Sequence, residues 1–164
     1  MGAAVAVFAA PAVQPGAATT VDAVSTPTTV HGTNFLLRSQ LDENFCMAVE
    51  PGTGPGRTIT LQACSTADTQ RWALTWNDDD TNLLVDIQGM CVDARLRTTS
   101  QGQPASVQRC RFGDAWRFTF DTTGRIQEVK NGRCLAVPDA AANATVVFVS
   151  CDDTRPGQLW KVTR

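Results

Sequence analysis

The sequence predicts an all-β fold in which three copies of one four-stranded unit close about a pseudo-threefold axis. Three observations predict it. Trp72, Trp116 and Trp160 stand 44 residues apart, and a period of this size marks a repeat architecture. Each tryptophan closes a segment that carries two cysteines. Before the second cysteine of each segment, apolar residues alternate with period 2, the pattern of a strand with one buried face.

The chain has 164 residues, enough for one domain with a real core. Residues 1–21 carry no charge, and Ala3–Ala10 is a short apolar run followed by small residues. The run is too short to span a membrane. It resembles the hydrophobic and cleavage parts of a secretory signal without the basic segment, so residues 1–18 are expected to be a truncated signal peptide. A disordered Ala/Pro tail is the alternative. Residues 19–33, rich in Thr, Val, Ser and Pro, are expected to be a linker. The domain proper is expected over 34–164, with copies over about 34–76, 77–121 and 122–164.

Each copy opens on an apolar segment: Phe35-Leu36-Leu37, Leu83-Leu84-Val85, and Ile126 with Val129. Turn chemistry follows in Asp42-Glu43-Asn44, Gln88-Gly89 and Asn131-Gly132, the last a strong hairpin signal. A second strand starts at the first cysteine, in Cys46-Met47-Ala48-Val49, Cys91-Val92-Asp93-Ala94 and Cys134-Leu135-Ala136-Val137. The third strand carries the apolar pairs Ile59 and Leu61, Ala105 and Val107, Val146 and Phe148. Its other face holds Thr60 and Gln62, Ser106 and Gln108, Val147 and Val149. The tryptophans start the fourth strand and are expected in the core. Trp76, outside the pattern, is expected at a strand end. About four strands per copy and about twelve in all, closed threefold, make a β-trefoil.

Six cysteines allow 15 connectivities, but threefold repetition favours one bridge per copy: Cys46–Cys64, Cys91–Cys110 and Cys134–Cys151. No Cys-x-x-Cys occurs and His31 is the single histidine, so no metal site and no cofactor are expected. Paired cysteines fit an oxidising compartment, and the chain is expected to be secreted. Arginine outnumbers lysine 12 to 2, a bias that points to a GC-rich bacterial genome. In a eukaryotic route Asn143-Ala144-Thr145 would be a glycosylation sequon. A net charge of −2 leaves no basic field for nucleic acid, and no membrane insertion is expected.

Gln70-Arg71-Trp72, Gln158-Leu159-Trp160, the degenerate Asp114-Ala115-Trp116, the intra-copy cysteines and Asn131-Gly132-Arg133-Cys134-Leu135 resemble the ricin B-chain-like (R-type) lectin family, the QxW-repeat β-trefoils. The likeness covers roughly Asn34 to Arg164. It implies a non-catalytic carbohydrate-binding module, often secreted and often attached to a glycosidase or toxin. In that family an aspartate two residues after the first cysteine accepts hydrogen bonds from sugar hydroxyls. Here that position holds Ala48, Asp93 and Ala136, so only the middle copy keeps the anchor. The family's Gln-x-Trp before the second cysteine is Thr60 and Gln62, Ser106 and Gln108, Val147 and Val149, with no aromatic among them. The asparagine before the QxW glutamine is replaced by Thr69, Gly113 and Gly157.

The resemblance therefore implies one site, in the middle copy: Asp93 as main acceptor, Gln108 and Asp114 assisting, Arg95 adding donors. The competing reading of Asp93 is an ordinary strand-edge carboxylate. The expected partner is a glycan or polysaccharide, bound weakly by a monomer. The alternative is a protein-interaction or inhibitor-type trefoil whose sugar sites have decayed. Asp78-Asp79-Asp80 lacks the alternation and glycine of a calcium loop and reads as a solvated loop. No nucleophile motif occurs, so no enzyme activity is expected.

Overall fold

The computed structural model describes residues 32–76, 81–94 and 101–164. The expected signal and most of the linker, with His31, Asp78–Asp80 and Arg95, lie outside the described residues. The first copy contains β1 (Gly32–Ser39), β2 (Phe45–Val49), β3 (Arg57–Ala63) and β4 (Trp72–Trp76). The second contains β5 (Asn82–Asp86), β6 (Met90–Asp93), β7 (Gln103–Pro104), β8 (Ser106–Arg109) and β9 (Phe118–Phe120). The third contains β10 (Ile126–Glu128), β11 (Arg133–Ala136), β12 (Val147–Ser150) and β13 (Trp160–Thr163). A short 3-10 turn precedes the last strand of each copy: η1 (Asp68–Gln70), η2 (Asp114–Trp116) and η3 (Pro156–Gln158).

The first and last strands of the copies pair around a ring, β1–β4–β5–β9–β10 and β13–β1. A bridge between Arg125 and Leu159 closes β10 to β13. That ring is a six-stranded barrel, which leaves no open edge. The hairpins β2–β3, β6–β8 and β11–β12 cap one end of it. At the centre of the cap, three backbone bonds run in a circle: Ile59 N–H to the Ala105 carbonyl, Ala105 N–H to Val146, and Val146 N–H to Ile59, at 2.8–2.9 Å. Each copy thus satisfies a donor of its neighbour, so no copy can be removed without orphaning buried backbone.

The alternating residues fall where their period places them. Ile59, Leu61, Ala105, Val107, Val146 and Phe148 are all buried in one continuous core. The strand carrying Ala105 is interrupted there, β7 ending at Pro104 and β8 beginning at Ser106. Two boundaries move. The first strand begins at Gly32, inside the expected linker. Val129 lies beyond β10 and is 39% exposed. Trp76 does end a strand, β4.

One expectation is corrected. Trp116 is not the counterpart of Trp72 and Trp160. Trp72 pairs with Phe35 of its own copy and Asp86 of the next. Phe118 takes the same place, opposite Asn82 and Glu128, and Trp160 lies opposite Ser39 with its N–H on the Gly124 carbonyl. Trp72, Phe118 and Trp160 share the main core, whereas Trp116 sits in a separate small cluster with Cys91 and Ala115. The 3-10 turns agree: Trp116 closes η2 as Gln70 closes η1 and Gln158 closes η3. The equal spacing of the tryptophans is a coincidence of loop lengths. The middle copy's motif is Trp116-Arg117-Phe118, and its QxW glutamine is Trp116 rather than Asp114.

All three expected disulfides are present, Cys46–Cys64, Cys91–Cys110 and Cys134–Cys151. Between copies, Arg57 and Asp86 form a buried ion pair at 2.6 Å. Asp86 also accepts the N–H groups of Gln88 and Met90.

The β9–β10 turn is built on Asp121, which accepts from the N–H groups of Thr123 and Arg125, the Thr123 hydroxyl and the Arg125 guanidinium. Partial burial alone would raise its pKa. The hydrogen bonds from Thr123 and Arg125, with the Arg125 charge, outweigh that and hold it below the usual aspartate value. A depressed folded-state pKa contributes stability that is present above the unfolded value and lost as pH falls through the folded one. Asp121→Asn is therefore expected to flatten the acid limb of the stability profile. Urea midpoints between neutral pH and about pH 2 read this out, and an unchanged acid limb would sink the assignment.

Candidate functional site

In the middle hairpin, Val92 and Val107 point into the core. Alternation then turns Cys91 and Asp93 of β6 away from the main core, opposite Gln108 and Ser106 of β8. The N–H of Ala94 bonds the Ala115 carbonyl at 3.1 Å and holds η2 beside the end of β6. The third copy repeats this with Val137 N–H on the Gly157 carbonyl at 2.9 Å. There a groove of about 300 Å³ lies between hairpin and turn, lined by Ala136, Val147, Val149, Pro156, Gly157 and Gln158 among others. By register the middle copy's counterparts are Asp93, Ser106, Gln108, Asp114, Ala115 and Trp116. By register Asp93, Gln108 and Asp114 thus stand at the positions whose third-copy counterparts line that groove. Asp114 is exposed at the start of η2, the place of Asp68 and Pro156. The position before the QxW glutamine is Ala115 in this copy, not Gly113. Arg95, the fourth expected residue, lies outside the described residues.

The three positions differ in what covers them. In the first copy Gln62 donates to Asn143 Oδ1 at 2.7 Å and to Thr60 Oγ1 at 3.3 Å. Asn143 arrives from the third copy, its N–H on the Leu61 carbonyl. Its counterparts are Gly56, bonded to the Val107 carbonyl, and Gly102, bonded to Phe148. All three residues have positive φ, 66°, 89° and 81°, which favours Gly or Asn. Where Asn stands, its side chain occupies Gln62. Where Gly56 stands, only Gln108 Nε2 would lie within 4.0 Å of an added Cβ. Among the described residues, Asn143 closes the first position, Gly56 sets no side chain over Gln108 in the middle one, and the third is lined mainly by apolar groups.

Asp93 is half-buried and already engaged within the protein. A carboxylate has about four lone-pair sites. The third copy's rim is tied up differently. Arg155 pairs with Asp152, whose carboxyl is held below the usual range by hydrogen bonds from Thr154 and by Arg155. Among the described residues no group of three His, Cys, Asp or Glu is placed to hold a metal ion.

Gln70 and Gln158 are buried and structural. Gln70 Oε1 accepts from Ser65 N–H and its amide donates to the Ala63 carbonyl, both at 2.8 Å. Gln158 does the same with Asp152 N–H and the Ser150 carbonyl. Trp72 and Trp160 donate their indole N–H groups to the Met47 and Leu135 carbonyls. Sequence reasoning passed over Phe112, which is 99% exposed on the loop entering η2. The signal available was an aromatic beside Gly113 in a short charged stretch, Arg109-Cys110-Arg111-Phe112-Gly113-Asp114.

A barrel capped by three disulfide-bonded hairpins, each followed by a 3-10 turn, is the architecture of the β-trefoil lectin class. The profile of the ricin-type β-trefoil lectin domain matches residues 33–163, and the chain belongs to that family. No curated protein sequence matches it. A designed threefold-symmetric protein, ThreeFoil, is 21% identical with a TM-score of 0.73, over 80% of this chain and 98% of that one. The C-half of an earthworm R-type lectin, solved with GalNAc, is 15% identical with a TM-score of 0.63, over 80% and 98%. A Polyporus squamosus lectin is 15% identical with a TM-score of 0.69, over 80% of this chain and 48% of that chain. At these identities the likeness is one of fold.

Proposed function

We propose that the protein is a secreted, non-catalytic carbohydrate-binding module that works through its middle copy. One observation carries this reading: of the three equivalent positions, only the middle one combines an acidic acceptor, Asp93, with an uncovered amide, Gln108. Asp93 accepts from vicinal sugar hydroxyls, Gln108 donates and accepts beside it, and Asp114 closes the opposite wall. The lectin-domain family and the sugar-bound lectin neighbours support the same class. Three disulfides suit an extracellular protein. A single shallow site implies a monovalent Kd of about a millimolar, or about −4 kcal/mol.

A glycan array followed by isothermal titration tests this. Binding to at least one sugar is expected, with Asp93→Ala weakening it by about tenfold or more. Asp93 already has a partner within the protein, so the urea midpoint of Asp93→Ala is read beside its binding, with Asp93→Asn as the milder variant. No binding across a broad panel would instead favour a protein-interaction trefoil.

A further inference from the structure

We propose that the ligand of the middle copy is an acidic polysaccharide, one whose sugar rings carry carboxylates, and that Arg111 and Phe112 select it. The proposal deepens the reading of that copy as the sugar site and rests on it. The three loops between the second cysteine and the 3-10 turn occupy the same place in the fold but differ in kind. In the first copy the residues after Cys64 are Ser65 and Thr66, and in the third those after Cys151 are Asp152 and Asp153. The middle copy has Arg111 and Phe112. In the other two copies the first of these residues is tied down, its N–H bonded to the buried glutamine oxygen. Trp116 replaces that glutamine and offers no side-chain acceptor. Gly113 follows at φ 128°, with nothing within 4 Å of an added Cβ. The loop turns there and sends Arg111 and Phe112 outward. Directly after it come Asp114 and Ala115, whose third-copy counterparts line the groove.

A phenyl ring left 99% in water contributes nothing to the core. Its use is as a plate for the C–H face of a sugar ring, the element missing from the strand. Arg111 is exposed and forms no ion pair among the described residues, and neither does Arg109 two residues before it. The third copy's loop, by contrast, neutralises its charges internally through Asp152–Arg155 and Asp153–Arg125. A guanidinium can donate to the hydroxyls of a neutral sugar, but it gains more from a carboxylate. A carboxylated sugar pairs with it by two parallel charge-assisted hydrogen bonds. The carboxylates of Asp93 and Asp114 on the same rim oppose a continuous anionic surface but accept the hydroxyls of a sugar.

The test uses the full chain with polygalacturonate and polyglucuronate, each compared with its methyl ester by isothermal titration. At low salt the acid form of at least one polymer is expected to bind about tenfold tighter than its ester. Added salt should erode that advantage. Arg111→Gln is expected to remove most of it, weakening the acid form far more than the ester. Phe112→Ser is expected to weaken both forms about fivefold, by loss of ring contact. Both side chains lie in solvent, so neither variant should change the urea midpoint. Equal binding of acid and ester, or an acid preference untouched by Arg111→Gln, overturns the proposal; if Asp93→Ala still abolishes that binding, the sugar site itself stands. No binding of any of the four polymers overturns the proposal, and when no sugar on the array binds either, the underlying reading falls with it.

Discussion

Reduction of the three disulfides is expected to unfold the protein at room temperature. Each bridge closes a loop within one copy, with sequence separations of 18, 19 and 17. A loop of this length limits the unfolded chain by about 3 kcal/mol in the chain-entropy account, so the three together contribute about 9 kcal/mol. Domains of this kind are stable by about 5–15 kcal/mol, so the loss is comparable to the whole. The native state also loses a constraint of its own. Cys64, Cys110 and Cys151 begin the loops that lead into η1, η2 and η3, and η3 forms one wall of the third copy's groove. Tryptophan fluorescence and far-ultraviolet circular dichroism in a titration with reductant read the outcome. A reduced protein that kept its native spectrum and lost only about 1 kcal/mol in urea would contradict the expectation. The three bridges are consistent with an extracellular protein.

The parts of the fold visible in the sequence were those encoded locally. A period of two around Ile59 and Leu61, or Val146 and Phe148, states which face of a strand is buried without reference to any other part of the chain. The cysteine pairs were legible because three copies repeat one spacing. The register of the middle copy was not, because Trp116 is large, apolar and placed at a tempting interval. Separation from the second cysteine is the better guide: Trp72 follows Cys64 by 8 residues, Phe118 follows Cys110 by 8, and Trp160 follows Cys151 by 9. Trp116 follows Cys110 by only 6. Closure of the first site was beyond local reasoning altogether. The Asn143 side chain that occupies Gln62 lies 81 residues away in sequence. It reaches Gln62 only because the third copy's loop crosses the first copy's hairpin. The apolar lining of the third site could be read from Ala136, Val147 and Val149, whereas its shape could not.

Replacing Phe118 by alanine is expected to cost about 4 kcal/mol, the range for a large aromatic deleted from a packed core. Phe118 is fully buried in the main core and its ring lies 6.4 Å from that of Phe148, nearly parallel. Trp116→Gln is expected to cost only about 1 kcal/mol, although it removes a larger side chain. The substitution supplies the residue that the other two copies hold at this position. Its oxygen can accept from Arg111 N–H as Gln70 accepts from Ser65, and its amide can donate to the Arg109 carbonyl as Gln70 donates to Ala63. Two hydrogen bonds at about 1 kcal/mol each then offset much of the lost packing. Urea midpoints of the two variants decide the matter, with Phe118→Leu as a milder probe should the alanine variant fail to fold. A Trp116→Gln variant damaged as badly as Phe118→Ala would mean that the equal spacing of the tryptophans reports the repeat after all. The same variant reaches the site. By tying Arg111 down as Ser65 and Asp152 are tied, Trp116→Gln should draw the Arg111–Phe112 tip inward and weaken binding while nearly preserving stability. The tryptophan in the middle copy would then serve less to fill a core than to release the loop beside Asp93.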